Sequence, residues 1–308
     1  MIEFFIHRLL STLLVVFGVV CIVFLFIHLV PGDPVEAMLG EAATPADREA
    51  LRHHLGLDKP LLNQWIMYAQ RLLRGDLGDS LYRRPVAAMI AERIPATAWL
   101  ALCALSIVLI IAIPLGILAA VKKGTAIDYA AMAVAMLGIS VPTFWLGPLL
   151  ILIFSLWLGW LPVSGCDNGL SVVLPALTLG MALAAILSRM TRASLLEVLN
   201  EDHVRAARAR GLNERAVVLR HALRNASLPV VTVFSLQLGA LLGGAVITET
   251  VFAWPGLGSL LIEAIERRDY PVVQGCVLLI SLTYVVVNTV IDLVYAWVDP
   301  RIRLQSQR

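Results

Sequence analysis

The chain has 308 residues, of which 59% are hydrophobic and 15% are charged, and its formal net charge is +2. Soluble domains carry about 25% charged residues, so this composition indicates an integral membrane protein and excludes an ordinary soluble domain. The four cysteines form no C-x-x-C pair and fall mainly in or beside apolar runs. Such cysteines predict neither a disulfide framework nor a metal site.

The first predicted membrane span covers residues 9–30, an apolar run whose few polar side chains include His28. A spanning helix needs roughly 20 apolar residues, whereas the core of a signal peptide has about 7–15. No small-x-small cleavage site follows the run, which ends at the turn-forming segment Pro-Gly-Asp-Pro at 31–34. We therefore expect residues 1–30 to be a short N-terminus followed by a retained span.

Residues 31–95 form a long polar region that is expected to be helical. Residues 44–56 begin with Thr-Pro, which is typical of an N-cap with proline at the first helical position, and end with a glycine. A second helix is predicted at 60–74, and a third begins at 86, after a proline. This region is too short to bury much core alone, so we expect it to lie across the outer ends of the other spans.

The second and third predicted spans differ in regularity. Residues 96–121 form one apolar run, whereas residues 129–160 are too long for one straight helix and contain glycine and proline breakers at 138–148. Backbone groups freed by a break in lipid must be satisfied by protein or water, so the break is expected to face the bundle interior. An ordinary proline kink is an equally good interpretation.

The remaining spans are predicted at 172–190, 230–252 and 276–298. In the fifth, Ser235, Gly239 and Gly243 give the small-xxx-small spacing that lets helices approach closely. Intramembrane polar residues usually face the interior, although a structural hydrogen bond without a transport role is the simpler interpretation for each one. The candidate translocation-pathway residues are Ser140, Thr143, Gln237, Glu249 and Asn288. Asp292 is a further polar residue of the sixth span and a candidate partner of Arg189.

The distribution of basic residues predicts the orientation. With the N-terminus inside, the segments on the cytoplasmic side hold 14 of the 24 Lys and Arg residues, whereas the short outer loops hold only Arg267 and Arg268. Cytoplasmic loops carry an excess of Lys and Arg. The sequence therefore predicts an all-α polytopic membrane protein with six transmembrane helices, N-in and C-in, and places residues 31–95 outside the cytoplasm.

The segment 191–229 is the predicted cytoplasmic loop between spans four and five, and it is much longer than a helix hairpin needs. Ala-rich residues before Gly211 favour a helix that ends at that glycine. Asn213 can cap a second helix, and Pro229 is expected to start the fifth span. The predicted apolar stripe of that second helix is Ala216, Leu219, Leu223 and Ala226. Arg208, Arg210 and Glu214 would then be offered to a partner.

Several motifs, taken in order along the chain, resemble the permeases of ABC importers, most closely the dipeptide/oligopeptide/nickel branch. They are Pro-Gly-Asp-Pro at 31–34, Leu55-Gly-Leu-Asp-Lys-Pro60, Gly75-Asp-Leu-Gly78, Glu201-Asp-His-Val-Arg-Ala-Ala-Arg-Ala-Arg-Gly211 with Leu228-Pro229, Phe252-Ala-Trp-Pro-Gly-Leu-Gly258, Arg268-Asp-Tyr-Pro-Val-Val-Gln274 and Asp299-Pro-Arg-Ile-Arg303. The 201–211 motif is similar to the EAA loop, with Arg205 where the general motif has glutamate and a longer glycine-to-proline distance.

The resemblance implies a bacterial inner-membrane permease that forms the translocation pathway with a second permease subunit and works with two ATP-binding subunits and an extracytoplasmic substrate-binding protein. It implies a permease core at 96–299, a cytoplasmic tail at 300–308, and a short coupling helix around 207–212 that docks on an ATPase subunit. The implied coupling residues are Arg205, Ala206, Ala207, Arg208, Ala209, Arg210, Gly211, Leu212 and Glu214.

Energy would then come from partners. The chain has no G-x-x-x-x-G-K-[ST] phosphate loop, so no cofactor is expected in it, and ATP and Mg²⁺ would be bound by the ATPase subunits. Besides these subunits the expected contacts are with membrane lipid and not with nucleic acid. The main substrate prediction is a dipeptide or oligopeptide, with glutathione and nickel or a nickel chelate as alternatives in the same family.

Two other classes of function are weighed against this interpretation. A secondary transporter driven by an ion gradient would be expected to show internal repeats and carboxylates near the midplane, and the candidates here, Glu249 and Asp292, are sparse. An intramembrane hydrolase would need a nucleophile beside a base, and the spans contain no recognisable motif of that kind. We therefore do not expect an enzyme.

Overall fold

The computed structural model describes residues 2–29, 34–40 and 43–298. Most of the predicted turn at 31–34, and the predicted closing motif and tail at 299–308, lie outside the described residues. The side chain of Asp292 lies outside them as well, so its pairing with Arg189 stays a prediction.

The described part of the chain is α-helical, with two short π-helical segments. In chain order the α-helices are α1 Ile2–Leu29, α2 Pro34–Leu39, α3 Pro45–Leu55, α4 Leu61–Leu73, α5 Val86–Val121, α6 Ala126–Ser140, α7 Thr143–Leu150, α8 Val173–Val198, α9 Asp202–Ala209, α10 Glu214–Ala216, α11 Leu223–Val251, α12 Leu257–Glu266 and α13 Tyr270–Val298. The π-helical segments are Ile151–Trp157, which continues α7, and Val217–Ala222, which joins α10 to α11.

The chain divides into two compact units, one made of Met1–Thr97 with Pro255–Arg308 and the other of Ala98–Trp254. In the first unit, α13 packs against α1 and α12. A buried cluster joins the start of α5 to α12 and α13, and a buried hydrogen bond from Ser80 Oγ to the Asp269 carboxylate ties the loop before α5 to the residue preceding α13. In the second unit, α8 is the central helix and contacts α6, α7 and α11.

Local sequence signals position the helices of the 31–95 region as predicted. Thr44 caps α3: its hydroxyl oxygen accepts from the Asp47 amide, and the Asp47 carboxylate accepts from the Thr44 amide, each at 3.2 Å. Gly56 ends that helix at φ +70°, a left-handed conformation that glycine adopts without penalty. The predicted helices at 44–56 and 60–74 are therefore confirmed.

No helix boundary lies near residue 95, because α5 is one helix of 36 residues that continues through Pro95, although the division between the two compact units falls close by, after Thr97. The predicted piece from residue 86 and the predicted span 96–121 are a single element. A proline removes one backbone hydrogen bond, but α5 is helical on both sides of Pro95.

The predicted break in the third span is confirmed: the chain bends by 109° between α6 and the Thr143–Trp157 segment. The expectation that the break faces the bundle interior stays a prediction, because that interior would be shared with a second permease subunit in the family that the motifs resemble. Gly138 is buried against α8, but Ser140 and Pro142, which form the break, are exposed.

By length and composition, the helices α5 and α8 and residues 270–291 of α13 can each cross a membrane. Two further pairs of helical segments are bent in the middle. One is Ala126–Ser140 with Thr143–Trp157, and the other is Glu214–Gly239 with Gly243–Val251, which is bent by 60°. If each pair is one span, the described residues contain five candidate spans. In addition, α1 contains the shorter apolar stretch Leu9–Leu25. The chain therefore has several apolar helices suited to a multi-pass membrane protein.

Small residues bring the helices of the second unit close together, but not at the predicted Gly243. A Cβ built on Gly243 would meet nothing within 4 Å, whereas one on the neighbouring Gly244 would lie 3.1 Å from Leu179 Cδ1. The tightest contact is at Gly116 in α5, where a Cβ would lie 2.5 Å from Thr191 Cβ. The spacing of small residues in the sequence predicts that helices pack closely, but it does not show which of these residues faces a neighbouring helix.

The 191–229 segment is folded onto the second unit by a buried apolar cluster that we call the loop core. Its members come from α5, α8, α9, the second π-helical segment and α11: Ala120, Leu195, Val198, Val204, Ala207, Val217, Val218, Ala222 and Ala226. The loop is therefore a packed layer and not a free connection.

Two boundaries of the 191–229 segment differ from the prediction. Helix α8 continues to Val198, and the helix that starts at Glu214 runs without interruption into α11, so Pro229 lies inside α11 and does not start it. The predicted apolar stripe is also partly wrong, because Leu219 is exposed while Val217, Ala222 and Ala226 are buried. The wider π-helical turn, with its i→i+5 bonds, places Val217 and Ala222 on one face.

We predict that Gly116→Ala lowers the stability of the protein by about 1–3 kcal/mol, the usual range for overpacking. The added methyl group would also lie 2.7 Å from the Ser188 carbonyl oxygen, which is backbone and cannot move alone. Thermal unfolding in detergent measures the effect. The control is Gly18→Ala in α1, where nothing lies within 4 Å; equal loss in both variants would contradict this explanation.

We predict that Ala207→Leu destabilises the loop, whereas the neighbouring substitution Ala206→Leu leaves stability nearly unchanged. Ala207 is 0% exposed in the loop core, and Ala206 is exposed. Overpacking a buried site costs about 1–3 kcal/mol. Limited proteolysis and thermal unfolding of the two variants provide the comparison, and equal protease sensitivity would show that the loop core does not hold the loop.

Candidate functional site

The candidate site is the turn between α9 and α10, which the local sequence builds in three steps. Helix α9 ends at Ala209, Gly211 adopts φ +75°, and Asn213 caps the next helix by accepting from the Arg215 amide at 3.1 Å. A residue with a side chain strains at such a φ, whereas glycine does not. The helix therefore ends just before Gly211 and a new one begins after Asn213, as the sequence predicts.

An ion pair closes this turn. Arg208 Nε lies 2.7 Å from Glu214 Oε1, and the two side chains are 41% and 62% exposed. The sequence predicts that these residues are offered to a partner; in the structure they also bind each other across the turn. Exposed pairs contribute little stability, about 0–1 kcal/mol, so the pair connects the two sides of the turn without adding much to its stability.

The predicted coupling residues separate into one buried residue and an exposed group. Ala207 faces the loop core and offers no surface to a partner. The exposed group consists of Arg205, Ala206, Arg208, Ala209, Arg210, Gly211, Leu212 and Glu214. The result is a surface with three arginines, small side chains and one exposed leucine, which we call the turn surface. Its chemistry suits a protein partner that presents carboxylates around an apolar groove.

His203 supports the start of α9 and is not singled out by the sequence. Its Nδ1 lies 3.0 Å from Glu201 Oε2 and its Nε2 lies 3.1 Å from Asn225 Nδ2. With the proton on Nδ1, the ring donates to Glu201 and accepts from Asn225. A hydrogen bond therefore connects the first turn of α9 to the first turn of α11. The spacing of 22 residues between His203 and Asn225 gives no signal in the sequence.

Asp128 and Arg192 form a second contact that the sequence does not reveal. Arg192 Nε lies 2.7 Å from Asp128 Oδ1, and Nη2 lies 2.8 Å from Oδ2. The two residues are 64 positions apart, so no local pattern could pair them. Asp128 lies in the first turn of α6, and Arg192 lies in α8 one helical turn before the loop-core residue Leu195. The pair is therefore close in the chain to the loop core.

The candidate pathway residues have different surroundings. Gln237 lines a narrow crevice with Leu105, Val108, Leu183, Leu187 and Phe234. Ser140 is exposed at the break after α6, where its hydroxyl donates to the Met136 carbonyl, and Thr143 starts α7. Glu249 is fully buried near the end of α11, and Asn288 donates to the Tyr284 carbonyl within α13. A single lined channel is not assembled from these described residues.

Comparison with known proteins matches nearly the whole chain. The family model described as binding-protein-dependent transport system inner membrane component matches residues 112–304, and the model for the N-terminal region of such membrane components matches residues 1–101. The two models together cover both units of the structure.

Three relatives share one description. Proteins called "Glutathione transport system permease protein GsiC" are 48% identical in Pectobacterium atrosepticum and 47% identical in Escherichia coli strain K12 and Shigella flexneri serotype 5b. Each match covers 98% of this chain and 99% of the relative. The chain therefore belongs to the family of binding-protein-dependent transport system inner membrane components and is a multi-pass inner-membrane permease of an ABC importer.

Proposed function

We propose that this permease imports glutathione or a closely similar short peptide. The observation that carries the proposal is the full-length identity of 47–48% to proteins described as glutathione transport permeases. Glutathione is a tripeptide, so this substrate is one of the alternatives within the peptide-importing branch that the motifs resemble. A dipeptide and Ni²⁺ represent the alternative substrates in the transport assay that tests this proposal.

We propose six membrane spans with both termini in the cytoplasm. The helices that support this topology are α1, α5, the α6–α7 bent pair, α8, the bent helix that starts at Glu214, and α13. In this orientation the turn surface lies on the cytoplasmic side, in agreement with its arginines and the positive-inside rule.

The family implies a partner permease, an ATPase and a substrate-binding protein. We propose a complex of this chain with a second, homologous permease, two ATP-binding subunits that hold ATP and Mg²⁺, and one extracytoplasmic binding protein. The turn surface would dock in a groove of one ATPase subunit, with Arg205, Arg210 and Leu212 as contact residues. The Arg208–Glu214 pair would keep the turn in the shape that fits the groove.

The mechanism follows from how the turn is attached. Because the loop core joins α9 to α5, α8 and α11, a force on the turn surface acts on all three membrane helices. Interiors are close-packed and transmit displacement instead of absorbing it. Closure of the ATPase dimer would thus tilt these helices and change which side of the membrane the pathway opens to. Ser140, Thr143, Gln237, Glu249 and Asn288 remain the proposed pathway residues.

We predict that Gly211→Val uncouples transport while membrane insertion is retained. A β-branched residue at φ +75° is strained by about 1–2 kcal/mol. A Cβ there would meet nothing within 4 Å, so the effect comes from the backbone alone. Gly211→Asn is the matched control, since asparagine tolerates this conformation better.

The measurement for the Gly211 variants is substrate-stimulated ATPase activity of the reconstituted complex, normalised to assembled permease. We expect stimulation to fall strongly in Gly211→Val and only mildly in Gly211→Asn. Equal and normal stimulation in both variants would remove Gly211 from the coupling assignment.

We predict that a cysteine at Ala209 crosslinks to an ATPase subunit, because Ala209 is exposed on the turn surface. The native Cys166 is also exposed and is first replaced by serine. A cysteine at Ala207, which is buried, is the matched negative control. Crosslinking from both positions, or from neither, would contradict the proposed docking surface.

The substrate is tested with the complete complex in proteoliposomes. We expect uptake of labelled glutathione to require internal ATP and to persist without a proton gradient, with excess unlabelled glutathione competing better than a dipeptide or Ni²⁺. Uptake driven by a proton gradient without ATP would favour a secondary transporter. Stronger competition by a dipeptide would move the substrate assignment to peptides in general.

A further inference from the structure

The Asp128–Arg192 pair has an unusual environment for an ion pair in the second unit. The Asp128 side chain is 4% exposed and that of Arg192 is 27% exposed. The two parallel hydrogen bonds between guanidinium and carboxylate fix both the distance and the angle between the side chains. A third bond, from the Gly124 amide to Asp128 Oδ2 at 3.0 Å, also holds the carboxylate.

The pair joins two helices at the end where the loop is packed. Asp128 lies in the first turn of α6, where the helix dipole favours a carboxylate. Arg192 lies in α8, one turn before Leu195, and Gly124 follows Ala120 by four residues; Leu195 and Ala120 both belong to the loop core. The ion pair therefore links α6 to the layer that carries the turn surface, although α6 itself contributes no residue to the loop core as defined above.

Helix α6 leads from this pair to the break in the third span. Its 15 residues correspond to about 22 Å of helix axis, and it ends at Ser140, where the chain turns by 109° into the next segment. Along α6, Gly138 packs closely on α8, with a built Cβ 3.1 Å from Ala185 Cβ. The two helices are thus fixed to each other near both ends of α6.

We propose that Asp128 and Arg192 are positioning residues for coupling. They lock the start of α6 to α8, so that a displacement of the turn surface moves α6 with α8 and reaches the break at Ser140–Thr143. This inference rests on the proposed function of the turn surface as the ATPase docking site. It adds a specific route to the third span, whose helix lies outside the loop core.

The test uses the complete complex in proteoliposomes and measures uptake of labelled glutathione per ATP hydrolysed. The variants are Asp128→Asn, Arg192→Gln, Arg192→Lys and the double variant Asp128→Asn/Arg192→Gln. The matched control is Arg84→Gln/Glu92→Gln, which removes an ion pair of similar length, 2.8 Å, between side chains that are both more than half exposed.

The double variant separates positioning from stability. Each single neutral variant leaves one partly buried charge without its partner, which destabilises the fold. The double variant leaves neither charge, and the side-chain oxygen that Asp128→Asn retains can still accept from the Gly124 amide. We expect its thermal stability to return close to that of the parent, while the uptake per ATP stays about two- to thirtyfold lower, the range seen when coupling residues are changed.

The expected order follows from the geometry. Arg192→Lys keeps the charge but loses the second parallel bond, so the uptake per ATP should be intermediate, and the Arg84/Glu92 control should match the parent. If the double variant recovers both stability and uptake per ATP, the pair is only structural and the proposal is overturned. The same result in Arg192→Lys and the parent would also overturn it, because the fork would then be unnecessary.

The Ala209 cysteine distinguishes this failure from failure of the proposed function. If Ala209→Cys crosslinks to the ATPase and the double variant transports normally, only the positioning role is wrong. If the crosslink is absent from the parent complex, the docking surface is wrong and the positioning role falls with it.

Discussion

The packing of the loop core is the interaction on which the rest of this permease depends. A charged segment between two membrane spans would be mobile if only its termini were fixed, and force applied to it would be lost in bending. Here Val204, Ala207, Val217 and Ala222 are completely buried against the ends of α5 and α8. The segment is therefore a mechanical part of the membrane unit, and its exposed arginines are held at defined positions.

The loop core is built mostly from small side chains. Apart from Leu195 and four valines, the loop core consists of alanines, so the α9 backbone lies close to its neighbours. Each buried methylene contributes only about 0.8 kcal/mol, and the cluster holds the loop mainly through close contact of backbones. Two polar contacts, His203 with Asn225 and Asp128 with Arg192, add hydrogen bonds of defined geometry, which apolar packing alone does not provide.

Much of the local structure follows from the sequence, because it depends on neighbouring residues. The cap at Thr44, the stop at Gly56, the turn at Gly211 and the break after Ser140 are each encoded within a few positions. The family is likewise evident from motifs. The orientation of Gly243, the π-helical turn and the Asp128–Arg192 pair depend on residues far apart in the chain or on competition between packing arrangements. Periodicity alone could not determine them.

The position of Pro229 inside a helix has a consequence for how this family can vary. From Glu214 to Gly239 the chain is one helix without a linker. The direction in which the Gly211 turn points around the axis of this helix is therefore set by the number of residues in it. Since an α-helix advances about 100° per residue, a single insertion between Glu214 and Gly239 would rotate the exposed arginines of the turn surface by about a quarter turn around the helix axis. Substitutions there can be tolerated, but the length is expected to be invariant.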